Sequence, residues 1–195
     1  MANAVARGGV AVLLFSLHIA SGVAAGPSET GLSLTCNGCH GWNGVSQGAS
    51  IPSIAGLNAD YMAKAMEQFK TGKRGATIMD RIAKGYKEYE LRKVARYFSR
   101  LPWVRVETPF EASLIARGRE LHERHCAECH EDSGRYQDQD VPRLAGQRPN
   151  YLTIQLTQYM DKAPKMPQPS DMAEKLTRID RDDLPALSAF YSSVD

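Results

Sequence analysis

The chain has 195 residues, with 24 basic and 22 acidic side chains and a formal charge of +2. So even a balance leaves no basic surplus for a nucleic-acid backbone and no polybasic tail for a membrane surface.

Residues 1–25 read as an export signal. Arg7 is the only charge ahead of an apolar run from Val10 to Ala20, and the small residues Gly22, Val23, Ala24 and Ala25 follow. The run is shorter than the stretch of about 20 apolar residues that a spanning helix needs. Cleavage is expected after Ala25, or after Ala24, delivering a mature chain with no membrane span to the periplasm. His18 lies in this segment and is no ligand of the mature protein, and loss of Arg7 brings the charge to +1.

Next comes Cys36-Asn37-Gly38-Cys39-His40, and Cys126-Ala127-Glu128-Cys129-His130 repeats it ninety positions later. Cys-x-x-Cys-His reads as a c-type haem attachment site. On a helical turn, residues three and four apart share a face. Two thiols then reach the two haem vinyl groups while the adjacent imidazole reaches the iron. A zinc site would gather the four cysteines and leave both histidines unexplained. A redox dithiol of the thioredoxin kind needs a βαβ setting that the sequence does not show. The two motifs use every cysteine, so two covalently attached haem c groups and no disulfide are expected.

The repeat extends past the motifs. Pro52, Ala55, Gly56, Tyr61 and Gln68 recur ninety positions on as Pro142, Ala145, Gly146, Tyr151 and Gln158, and Phe69 is matched by Tyr159. This is an internal duplication. It divides the chain into a first domain at 26–100, a linker at 101–110 and a second domain at 111–195. Each mature half holds roughly 85 residues, marginal for an apolar core alone; a buried haem supplies the missing hydrophobic mass.

The periodicity predicts helices throughout. One spans Ala59 to Thr71 with Asn58 or Asp60 as N-cap and Gly72 beyond its end, and its counterpart runs from Asn150 to Tyr159. Closing helices carry Leu91, Val94, Ala95 and Phe98 in the first half. In the second they carry Leu184, Leu187, Phe190 and Tyr191, with Pro185 in a first turn. A helix from Glu111 to Arg124 leads into the second motif, and Gly118 within it marks a close helix crossing. No segment alternates as a strand does, so the fold class is all-α.

An iron with both axial positions filled needs a distal ligand opposite each His, and methionine raises the potential. Met62 and Met66 lie on an apolar helix face and read as core. Met79 ends a glycine-containing loop, where its thioether can swing onto the first iron opposite His40. In the second half the ninety-residue register puts Pro169 at that position and pairs Met172 with Ile82, a packing position. Met166, between Lys165 and Pro167 in a stiff non-helical stretch, is preferred to Met172 as the ligand opposite His130. Met160 is a poorer candidate, His122 and His125 are directed away from the distal side, and Trp42, Trp103, Tyr61 and Tyr151 are expected to pack beside haem or core.

The stretch Ala76-Thr77-Ile78-Met79-Asp80-Arg81-Ile82-Ala83-Lys84-Gly85-Tyr86 resembles the dihaem cytochrome subunit of flavocytochrome c, a periplasmic sulfide dehydrogenase of sulfur-oxidising bacteria. Leu144-Ala145-Gly146-Gln147 with Tyr151 is similar to that family and to the broader cytochrome c-four group. The resemblance implies two tandem class I cytochrome c domains. It carries over Cys36, Cys39, His40 and Met79 for one haem and Cys126, Cys129, His130 and Met166 for the other. The stretch from Pro167 to Asp171 is extended relative to the family pattern. It also implies an FAD-bearing flavoprotein partner that oxidises sulfide, with FAD on that subunit only. Electrons would leave to a soluble acceptor such as a small cytochrome c, and this chain would hold no catalytic residue of its own. The alternatives are a stand-alone cytochrome c-four-type carrier feeding a terminal oxidase, a haem enzyme with an open iron, and a haem-based sensor of a small ligand.

Overall fold

The computed structural model describes Met1, residues 27–161 and residues 166–195; the expected signal segment beyond Met1, and Lys165, lie outside the described residues. Among these residues the secondary structure is helical, with no strand. The first half contains α1 (Glu29–Leu34), α2 (Asn37–His40), α3 (Ala59–Lys70), α4 (Met79–Lys84) and α5 (Glu88–Ser99). The second contains α6 (Ala112–His125), α7 (Glu131–Gly134), α8 (Pro149–Met160), α9 (Ser170–Leu176) and α10 (Leu184–Ser193). None of the described helices is long and apolar enough to cross a membrane.

The expected helices form for the expected reasons. The Asn58 side chain accepts from the backbone N–H groups of Asp60 and Tyr61, at 2.9 and 3.0 Å, and so caps α3. Gly72, at φ +73°, follows its end. Pro185 lies in the first turn of α10, where a missing N–H costs nothing.

Each half has its own core. Leu57, Met62, Val94, Ala95 and Phe98 form one. Leu121, Leu152, Ile179, Leu184, Leu187, Phe190 and Tyr191 form the other. In each, the helix entering the Cys-x-x-Cys-His turn crosses the closing helix, α1 on α5 and α6 on α10. Trp42 is not in either core; at 75% relative exposure it stands out from the turn after the first motif.

The ninety-residue register does not run to the end of the chain. The Gly56 N–H donates to Phe98 O at 2.9 Å, and the Gly146 N–H donates to Tyr191 O at 2.7 Å. The glycines are ninety apart and their acceptors ninety-three. The turn after the short helix repeats at the longer spacing: Tyr86 N–H to Ala83 O, and Ile179 N–H to Leu176 O, both 3.2 Å. Buried Leu91 and Val94 likewise correspond to Leu184 and Leu187. Three extra residues therefore lie between Tyr159 and Met172. The sequence pairing of Met172 with Ile82 is corrected: Met172 corresponds to Met79.

Gly118 is the crossing point anticipated on α6. A Cβ there would stand 2.0 Å from Ala186 O and 2.6 Å from the Phe190 Cβ, and backbone cannot yield as a flexible side chain would. Gly118→Ala is expected to destabilise the second domain by at least the roughly 1–3 kcal/mol typical of overpacking, read as a loss of denaturation midpoint relative to the parent protein.

Candidate functional site

The two motifs fold into the same turn. The Cys39 and His40 N–H groups donate to Cys36 O at 3.2 and 2.9 Å, and those of Cys129 and His130 donate to Cys126 O at the same distances. Each turn thus gathers two thiols and an imidazole, and all four cysteines are free. Cys39 and Cys129 are exposed, Cys36 and Cys126 half-buried. Burial pushes the Cys36 and Cys126 thiols up, which keeps them protonated.

The loop after each motif is built alike. Gly44 O accepts from the N–H groups of Ile54 and Ala55, and Gly134 O from those of Leu144 and Ala145. In the first domain this loop brings Pro52 O to the His40 Nδ1, at 2.8 Å. Nδ1 then carries the proton and Nε2 keeps its lone pair, the tautomer an iron ligand needs. His130 Nδ1 is closed off from solvent and has no partner among the described residues. Burial pushes both imidazoles down: His130 to about 4, with His122 adding to the effect, and His40 against the opposing pull of its bond to Pro52. Two neutral, buried imidazoles beside paired thiols fit haem c.

The distal candidates are placed differently from one another. Met79 is not at the end of a loop as expected but is the first residue of α4, and it is half-buried. Met172 sits near the start of α9, the counterpart of α4, and is also half-buried. Met166 is 3% exposed, in irregular backbone just before Pro167. Met62 is core, as expected, and Met160 packs against the second core. His122 is turned inward: its Nδ1 lies 2.9 Å from Tyr191 Oη and its ring faces Phe190.

Sequence reasoning missed the junction between the halves. The buried Gln147 side chain accepts from Ser53 N–H at 2.8 Å and donates to Ser53 O at 2.9 Å. Gln137 does the same with Asn58 N–H and Gly56 O, at 2.8 and 2.9 Å. Tyr151 N–H donates to Ala49 O, and Arg148 Nε to Gly48 O. Trp103, from the expected linker, lies against the Cα positions of Gly56 and Gly146. Arg74, in the loop before Met79, reaches Gln155 across the junction at 2.7 Å. The signals at hand were Gln147 and Tyr151, through the Leu-Ala-Gly-Gln element and the repeat, and Trp103, as an aromatic expected to pack.

The family model for cytochrome c matches residues 30–101 and again 115–195. The chain belongs to the cytochrome c family. Membership brings covalent haem c, and the tandem fold is that of two such domains. This cytochrome is 47% identical over 70 residues to the cytochrome subunit of sulfide dehydrogenase from Chlorobaculum tepidum, a match covering 36% of this chain and 63% of that relative, less than two thirds of its length. It is 30% identical over 154 residues to cytochrome c4 from Pseudomonas aeruginosa, 74% of each chain. The solved structure of reduced recombinant cytochrome c4 from Pseudomonas stutzeri superposes with a TM-score of 0.75 at 23% identity, covering 88% of this chain and all of that one. This cytochrome is thus an electron-transfer protein related to both groups.

In the haem-free chain, whose imidazoles are not held by iron, the depressed histidines set a pH dependence. Unfolded imidazoles take a proton near 6.5, whereas folded His130 does so only near 4. Between these values the unfolded state binds more protons, so stability falls as pH drops and is fully present above 6.5. The loss is expected to reach at most about 1.4 kcal/mol per pH unit for each such histidine. Thermal unfolding of the haem-free chain followed by circular dichroism at pH 7, 5.5 and 4.5 checks it; a midpoint that holds or rises on acidification contradicts it.

Proposed function

We propose that this cytochrome is a periplasmic dihaem electron carrier that accepts electrons from an FAD-containing, sulfide-oxidising flavoprotein and delivers them to a soluble acceptor such as a small cytochrome c. The observation that carries the two-haem reading is the recurrence of one hydrogen-bonded Cys-x-x-Cys-His turn in both domains. Haem c supplies one-electron redox chemistry when bound. Cys36 and Cys39 would hold it in the first domain and Cys126 and Cys129 in the second, through thioethers. His40 and His130 would provide the proximal nitrogens, with the Pro52 carbonyl fixing the tautomer of His40.

Met79 would occupy the distal position in the first domain. For the second, the ninety-three-residue register supports Met172, since α9 corresponds to α4 and both methionines are half-buried near their helix starts. Met166 is the rival, but its side chain is sealed in at 3% exposure.

The 47% identity to a sulfide dehydrogenase cytochrome subunit supports the flavoprotein partner. A stand-alone cytochrome c4-type carrier is the second reading, supported by a match that spans both domains. Purifying the protein from its native source separates them: co-purifying FAD supports the partnered subunit, and a flavin-free monomer supports the carrier.

Two outcomes follow for the isolated protein. Mass spectrometry of the exported chain is expected to show two haem additions and no free thiol; one addition, or a disulfide between Cys36 and Cys39, overturns the dihaem reading. Met172→Ala is expected to open the second iron to carbon monoxide while the first stays six-coordinate. Met166→Ala should cost packing only, about 2–5 kcal/mol as for other buried truncations. The reverse pattern assigns the ligand to Met166.

A further inference from the structure

Arg74 is 6% exposed and sits at the junction of the two domains. Its guanidinium donates to Tyr61 Oη at 3.2 Å and to Gln155 Oε1 at 2.7 Å, and its central carbon lies over the Phe69 ring, 5.1 Å from the centroid. Its Nε–H is closed off from solvent and has no partner among the described residues. No carboxylate pairs with it among the described residues, and segments 2–26 and 162–165 contain no Asp or Glu.

Burial alone would push this guanidinium down, but the phenol oxygens of Tyr61, Tyr151 and Tyr159 more than offset it, so the group stays charged. Burial in turn pushes the Tyr151 and Tyr159 phenols up, so these two offer dipoles and not negative charge. A buried cation with only neutral partners is strongly disfavoured, and a planar fork with a spare N–H is shaped for a carboxylate.

The sequence supplies no such carboxylate, but haem does: its macrocycle carries two propionates on one edge. Arg74 lies five residues before Met79, in the loop joining α3 to α4. Tyr61 and Tyr151, repeat mates from opposite domains, both flank it.

We propose that Arg74 is a carboxylate-binding residue whose free Nε–H and adjoining edge receive a propionate of the haem attached at Cys36 and Cys39. The proposal rests on the reading that a haem is attached there. Arg74 then joins that haem's carboxylate to Gln155 of the other domain. Its charge also favours the reduced, more negative state of the nearby iron, and so raises its potential.

The test uses the full-length holoprotein, with haem attachment at both motifs scored first by mass, so that failure of attachment is told apart from failure of the proposal. Redox titration and redox-induced infrared difference spectra are then compared for the parent, Arg74→Met, Arg74→Lys and Gln155→Ala. Arg74→Met is expected to lower the potential of one haem and leave the other. Arg74→Lys, which keeps the charge and loses the fork, is expected to hold the potential near the parent's and shift the propionate carboxylate band. Gln155→Ala breaks only the bond across the junction and is expected to leave both potentials unchanged. Unchanged potentials in Arg74→Met, an unshifted band in Arg74→Lys, or a Gln155→Ala shift as large as that of Arg74→Met each overturn the proposal.

Discussion

The bond from a positive-φ glycine to the end of the closing helix is what the rest of each domain depends on. Gly56 and Gly146, at φ +67° and +72°, turn their N–H groups onto Phe98 O and Tyr191 O. A side chain at either position would be strained by the left-handed backbone and would meet Trp103 within 3 Å. This bond pins the loop between the Cys-x-x-Cys-His turn and the next helix. In the first domain the pinned loop carries Pro52, which orients His40, and Ser53, which pairs with Gln147. One backbone contact thus sets both the imidazole and the junction.

The junction is polar and closely specified rather than a merged core. Most of its bonds run from side chains to backbone groups of the opposite domain, and each buried polar atom so used would be costly if left unpaired. Gln147 and Gln137 each engage a donor and an acceptor, so they act as splints between two loops. Such bonds fix orientation without requiring a large apolar interface. Two small domains with separate cores are therefore held in one geometry, the condition for electron transfer over a constant distance. The duplication is unequal where chemistry is concentrated. His122, bonded to Tyr191, stands where the first repeat has Leu32. The polar surroundings of the two Cys-x-x-Cys-His turns thereby differ.

Much of this was legible in the order of residues because the signals are local. The Cys-x-x-Cys-His turns need only spacing, the helices only periodicity and caps, and the crossing at Gly118 only a glycine where a helix should not want one. The duplication showed itself through residues held at one spacing from Cys36 to Tyr159. The place of Met172 was not legible, because a three-residue insertion shifts the register in a stretch without matching side chains. It emerged from closing-helix hydrogen bonds that link positions far apart in the chain.

What the sequence alone determined, then, is the all-α class, the two tandem domains and the paired thiols with their histidines. Each follows from residues within a few turns of one another. Tertiary structure alone decided the tautomer of His40, the splinting by Gln137 and Gln147, the burial of Arg74 without an anion and the correspondence of Met172 with Met79. Those properties depend on which distant groups meet in space, and a buried polar atom's partner is set by packing, not by its neighbours in the chain.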